Sequence, residues 1–235
     1  MKDAKDLKPT LLQRLASEAL GTAFLLAIVV GSGIMAERLS AGNMAIALLA
    51  NTLATGAGLV ALILTFAPIS AHFNPVVTLL AAAQKEIIWR DVPAYVAAQS
   101  GGALAGVAAA HVMFGHALFT PSTKNRASGG EIFAESIATF GLLLVIASVA
   151  KHRAAALPYA VAAYITAAYW FTASTSFANP AVTLARAVTE SFAGIRPADA
   201  PAFVMAQLAG MIVALVVIRF LFGASVGDLV KRERD

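Results

Sequence analysis

The chain has 235 residues, of which 59% are hydrophobic and 13% charged, with a formal net charge of +4 and no cysteine. This is too apolar for an ordinary soluble domain, and the missing cysteines exclude disulfides, thiolate catalysis and thiolate metal sites. The basic residues sit at the termini and in short connections, a pattern of membrane topology and not of a nucleic-acid partner.

Six apolar stretches follow one another: Leu15 to Met35, Met44 to Phe66, Val92 to Phe114, Ile132 to Ala150, Leu157 to Thr175 and Ala202 to Phe222. A helix of about 20 residues crosses a hydrocarbon core of roughly 30 Å, so each predicts a transmembrane helix in a lipid bilayer. The first has no small-residue cleavage pattern behind it and is expected to be a retained span, not a signal peptide. Two shorter runs, Val76 to Ala83 and Ala181 to Val188, are too short to span. With six spans, 12 of the 17 basic residues fall on one face and 5 (Arg38, Lys124, Arg126, Arg186, Arg196) on the other, which predicts cytoplasmic termini. The expected organisation is a cytoplasmic segment 1–14, one channel domain 15–223 and a cytoplasmic tail 224–235.

The chain is internally duplicated. Glu18-Ala-Leu-Gly-Thr-Ala-Phe resembles Glu135-Ser-Ile-Ala-Thr-Phe-Gly. Asn74-Pro-Val-Val-Thr-Leu resembles Asn179-Pro-Ala-Val-Thr-Leu, and Tyr95-Val-Ala-Ala-Gln99-Ser-Gly-Gly102 resembles Phe203-Val-Met-Ala-Gln207-Leu-Ala-Gly210. The matches keep one order, offset by 117, 105 and 108 positions. Repeat 1 covers about 15–116 and repeat 2 about 130–223. Each holds three spans, an odd number, so the second half crosses the membrane in the opposite sense, an arrangement that puts functional sites near the midplane.

Proline has a fixed φ and no N–H, and suits the first position of a helix with Asn as N-cap before it. Asn74-Pro75-Val76 and Asn179-Pro180-Ala181 therefore each start a half-helix that reaches about halfway across. Two inverted half-helices meet by their N-termini at the midplane, and their irregular lead-in loops are tolerable only where they line a wet cavity. The two positive dipole ends repel cations. The Asn carbonyl oxygens cap the half-helices, and the amide N–H groups face a passing solute. Such a site suits small uncharged hydrogen-bonding solutes.

At these residues the sequence resembles the aquaporin, or major intrinsic protein, family, over roughly Leu15 to Phe222. The resemblance rests on Glu18, the Ile69-Ser-Ala-His72-Phe-Asn-Pro lead-in, Glu135 and Phe177-Ala-Asn-Pro-Ala-Val-Thr. It implies an all-α membrane fold of six helices plus two re-entrant half-helices, a homotetramer with one pore per subunit, and no cofactor or metal. Glu18 and Glu135, acidic groups within apolar helices, require an explanation. Proton relay is one reading; the resemblance implies another, that they accept hydrogen bonds from the re-entrant loops. His72 is placed on the cytoplasmic half of the pore, as wall or protonation gate. His111, His116 and His152 lack ligand spacing and read as interfacial.

Water-selective members of the family place an Arg directly after the second Asn-Pro-Ala, where this chain has Val182. In the same frame the remaining filter positions fall at Thr55, Ala167 and Ser176. All four are small or apolar, which predicts a wider and less polar filter. The expected solutes are water, glycerol-like polyols and metalloid hydroxides such as arsenous acid or organic arsenicals, as for bacterial aquaglyceroporin-like members at the inner membrane. Arg186 lies one turn beyond Val182, about 6 Å further out; it is either a displaced filter cation or an Arg snorkelling to the interface. Val76 in place of Ala is expected to narrow the midplane. A secondary transporter shares inverted repeats but needs a coupling site, and a membrane enzyme lacks any supporting motif spacing.

Overall fold

The computed structural model describes residues 8–223. The expected C-terminal tail lies outside the described residues, as do Lys2, Lys5, Lys231, Arg232 and Arg234 of the topology argument. The chain forms α1 (Leu11–Leu39), α2 (Met44–Phe66), α3 (Pro75–Ala83), α4 (Val92–Phe114), α5 (Gly129–His152), α6 (Leu157–Phe171), α7 (Pro180–Arg186) and α8 (Ala200–Phe222). Six of these are long and apolar enough to cross a membrane; α3 and α7 are not. No strand occurs among the described residues.

Local chemistry sets the helix ends. α1 begins at Leu11, four residues ahead of the apolar pattern, because Thr10 and Gln13 form a capping box. Ser128 and Glu131 form the matching box at the start of α5. Pro93, Pro158 and Pro201 sit in the first turns of α4, α6 and α8, where a missing N–H costs nothing. α6 ends at Phe171, short of the expected Thr175, because the chain there must turn back toward the midplane as the lead-in to α7.

The repeats pack alike: α1 lies along α4, and α5 along α8. Lipid supplies little hydrophobic drive for helices to associate, so close backbone approach and dispersion must hold them. Gly102 of α4 meets the Ala19 carbonyl of α1, and Gly210 of α8 meets the Ser136 carbonyl of α5. A Cβ at either glycine would lie 2.2 or 2.3 Å from that oxygen. Large apolar side chains such as Leu20, Phe24, Met205 and Phe220 point outward, as a lipid-facing surface requires. All six spans cross, so α1 starts and α8 ends on one face, here the terminal face; the α1–α2, α4–α5 and α7–α8 connections lie on the far face.

Replacing Gly102 or Gly210 by Val should force these helix pairs apart, at about 1–3 kcal/mol or more. Thermal unfolding in detergent should show a clearly lowered midpoint for both variants, whereas Gly101→Val, at a site with open space around it, should change little.

Candidate functional site

The lead-in loops before α3 and α7 run as irregular backbone through the middle of the molecule, and their N–H groups need acceptors. Glu18, fully buried on α1, supplies them for the first loop. Its Oε1 accepts from the His72 N–H at 2.8 Å and the Ser70 hydroxyl at 2.6 Å, and its Oε2 accepts from the Phe73 N–H at 2.7 Å. Glu135 on α5 does the same for the second loop, accepting from the N–H groups of Phe177 and Ala178, both at 2.8 Å. A glutamine completes each bracket. The Gln99 amide donates to Glu18 and to the Thr78 hydroxyl at 2.8 and 2.9 Å, and the Gln207 amide donates to Glu135 and Thr183 at 2.7 and 2.8 Å.

Bracketing turns each loop sharply. Phe73 and Ala178, the residues before the two Asn-Pro pairs, have φ of 51° and 47°, a left-handed conformation costing a non-glycine residue roughly 1–2 kcal/mol. Their carbonyls are thereby presented to the opposite repeat. The Asn74 amide donates to the Ala178 carbonyl at 2.7 Å, and the Asn179 amide donates to the Phe73 carbonyl at 2.8 Å. The Asn oxygens face the other way: Asn74 Oδ1 accepts from the Val76 N–H, and Asn179 Oδ1 from the N–H groups of Ala181 and Val182. Each amide has two N–H bonds, and the cross-repeat bond uses one. One per Asn is left for a solute.

A cavity of about 280 Å³ passes this pair and extends on both sides of it. Toward the terminal face it runs by His72 to Gln84 and Glu86, and toward the far face by Val182 to Thr55, Tyr169, Ser176 and Arg186. Between these polar groups its wall is mostly aliphatic, from residues such as Val29, Leu59, Leu142 and Ile165.

The family model for the major intrinsic proteins matches residues 6–158 and 148–233, which together take in both repeats. The chain belongs to the major intrinsic protein family. It is 51% identical over 212 residues to aquaglyceroporin AqpS of Rhizobium meliloti, covering 90% of this chain and 91% of that protein. It is also 34% identical over 147 residues to aquaporin NIP1-1 of rice, Oryza sativa subsp. japonica, covering 61% of this chain and 51% of that one. The X-ray structure of the aquaglyceroporin from Plasmodium falciparum superposes over 90% of this chain and 95% of that one with a TM-score of 0.63; at 21% identity this shows the fold alone.

Within this family fold, Asn74, Asn179, His72, Thr55, Ser176, Val182 and Arg186 all line the cavity. Glu18 and Glu135 stand behind the loops, with their carboxylate oxygens occupied by loop and glutamine donors. Pro75, Pro180 and Ala181 start the half-helices beside the lumen without lining it. Two expectations are corrected. Ala167 is exposed on the outer surface of α6; Tyr169 faces the cavity instead, since two residues turn a helix by about 200°. Val76 does not narrow the midplane. It is fully buried against α5 and α8, near Leu143 and Ala214, because the Asn N-cap faces the lumen and the second helical residue points away. His111, in the last turn of α4, is buried with Nε2 2.7 Å from the Thr189 hydroxyl.

Of the two readings of Arg186, snorkelling fails. Its side chain is 2% exposed, its Nε donates to the Ala193 carbonyl, and its guanidinium carbon lies 3.4 Å from the centre of the Phe177 ring. Sequence reasoning gave no role to Gln99, Gln207, Thr78, Thr183, Tyr169 or Arg126. The first four stood in matched positions of the two repeats, and polar groups paired in that way inside apolar helices were the available signal. Nothing comparable marked Tyr169.

Removing a bracket should be severe. Glu135→Ala leaves the Phe177 and Ala178 N–H groups without their acceptor at about 1–3 kcal/mol each. Glu135→Gln, which keeps one carbonyl acceptor, should be milder. Thermal stability in detergent and solute flux should both fall in the order wild type, Gln, Ala; an Ala variant equal to wild type in both would sink the bracket role.

Proposed function

We propose that this chain is a passive channel for small uncharged solutes, water and glycerol-like polyols among them, extending to metalloid hydroxides such as arsenous acid and to organic arsenicals. The observation that carries the reading is the cavity passing the Asn74 and Asn179 pair with Val182 on its wall at the family's filter-arginine position. An aliphatic side chain there leaves the lumen wider and less polar than an arginine does. The name of the relative AqpS, an aquaglyceroporin, agrees with this. Thr55, Tyr169, Ser176 and Val182 form the proposed filter, with Arg186 at its far edge. The positive ends of the two half-helices oppose cations and protons at the midplane. We further propose a homotetramer in a plasma or inner membrane with both termini cytoplasmic, so that the far face is the outer one.

A water-selective channel is the second reading, and one observation favours it. The Thr55 and Tyr169 hydroxyls lie 3.3 Å apart, joining α2 to α6 across part of the filter wall. Parallel uptake measurements of water, glycerol, urea and arsenous acid in proteoliposomes separate the two readings. Glycerol and arsenous acid should enter several-fold faster than in empty vesicles, and Val182→Arg should suppress both while sparing water. Fast water uptake without glycerol or arsenous acid uptake would establish the second reading, and no solute flux at all would overturn both.

A further inference from the structure

Three cations from two segments remote in sequence converge beside the far end of the cavity, and Arg186 is the one of them that lines it. They donate to three successive carbonyls of one loop: Lys124 Nζ to Phe192 at 2.7 Å, Arg186 Nε to Ala193, and Arg126 Nε to Gly194 at 3.0 Å. Arg126 also donates from Nη1 to the Ser174 carbonyl at 2.9 Å. The Phe177 ring lies under both guanidinium groups, 5.0 Å from that of Arg126 and 3.4 Å from that of Arg186.

Buried cations are ordinarily paired with carboxylates. Arg126 and Arg186 are 6% and 2% exposed, yet the ion pairs among the described residues are Arg14 with Asp91 and Arg196 with Asp199. Of the neighbouring carboxylates, Glu37 near Lys124 is exposed and forms no ion pair among the described residues, and the others are otherwise engaged. Glu135 brackets its loop, Glu131 caps α5 at Ser128, Glu190 accepts from Thr123, and Asp199 accepts from Arg196 and from the Arg126 backbone N–H. The three loop carbonyls solvate one nitrogen of each cation. Among the described residues the two terminal nitrogens of Arg186 have no protein acceptor, and Arg186 lines the cavity. Ser176 lines the same cavity; it is 3% exposed and its hydroxyl oxygen is buried without a hydrogen-bond partner.

We propose that Arg186, Ser176 and Tyr169 form a binding site for a small oxyanion at the far mouth of the channel, in a positive potential reinforced by Lys124 and Arg126. A guanidinium offers two parallel N–H groups to two oxygens of one anion, a geometry that an ammonium lacks. The Ser176 hydroxyl supplies a donor for a third oxygen, and the phenol of Tyr169 lies on the same wall. This goes beyond the passage of neutral solutes: an anion held here occupies the lumen beside the filter.

Lys124 makes the site responsive to pH. Burial first, then the charges of Arg126 and Arg186, push its ammonium down to about 8, while Glu37 and Glu190 act in the opposite direction. Below that pH the mouth carries three positive charges, and above it two, so anion affinity falls as pH rises.

The test is binding to the purified full chain of methanesulfonate, singly charged throughout the working range, against dimethyl sulfone, its neutral counterpart of similar shape. Calorimetry should show saturable methanesulfonate binding at least several-fold tighter than that of the sulfone, weakened about tenfold by Arg186→Gln, equivalent to 1.4 kcal/mol, and less by Ser176→Ala. If Arg186→Gln does not fold, the unaltered chain still decides: its affinity should drop several-fold between pH 7 and pH 9. No saturable binding, equal binding of the two probes, or affinity indifferent to both substitutions or to pH overturns the site. Glycerol flux, measured separately on the unaltered chain, decides the neutral-solute reading independently.

Discussion

Breaking a helix inside a bilayer frees backbone N–H groups that lipid cannot satisfy, and the structure depends on how two buried carboxylates meet that demand. Glu18 and Glu135 accept from four backbone N–H groups of the re-entrant loops, those of His72, Phe73, Phe177 and Ala178. At 1–3 kcal/mol each, leaving them unmade would cost on the order of 4–12 kcal/mol, comparable to the whole net stability of a typical domain. The left-handed turns at Phe73 and Ala178 cost a few kcal/mol at most and are sustained by the same brackets. This magnitude favours the loop-supporting reading of the glutamates over the proton relay. Glu18 has four donors on its oxygens and Glu135 three, so at most one of the roughly four acceptor sites of either carboxylate is left over.

The brackets also determine what the Asn pair can do. Because the carbonyls of Phe73 and Ala178 are turned inward, each repeat's Asn donates to the other repeat's loop, and neither half-helix can shift alone. The midplane is thus a rigid joint between two inverted halves, with one free N–H per Asn directed at the solute. A rigid midplane of this kind cannot discriminate among solutes by closing on them. In the proposed channel, discrimination falls to the region beyond Val182, where the side chains belong to α2, α6, the second loop and α7, and not to the joint.

The fold was legible in the sequence because its determinants are periodic and doubled. Hydropathy marked six spans, Asn-Pro marked the start of each half-helix to the residue, and the paired glutamates in apolar helices required an explanation that the family resemblance supplied. The filter was less legible, for a geometric reason. A frame error of two residues is harmless along a span but turns a side chain by more than half a circle, which is how Ala167 was expected where Tyr169 stands. Val76 shows the same effect: a substitution read as a change in bore is a change in packing against α5 and α8. Arg126 and Lys124 were invisible for another reason, since their approach to Arg186 is made by a connecting loop whose path follows from no periodicity.

Replacing the filter arginine by Val182 removes a cation from the lumen wall without removing positive charge from this end of the molecule. Arg186 sits one turn on from Val182 on the same face of α7, held by the Ala193 carbonyl and the Phe177 ring, with Arg126 on the same ring. In the proposed filter the charge is moved one helical turn toward the far face. A cation in the constriction narrows the lumen and repels ions at once; a cation at the rim repels cations before they enter while leaving the bore to Thr55, Tyr169, Ser176 and Val182. In the proposed filter, width and charge, coupled where a filter has its own arginine, are separated. The cost is that a rim cation stripped of carboxylate partners attracts anions, and the loop carbonyls of Phe192, Ala193 and Gly194 moderate that attraction without cancelling it.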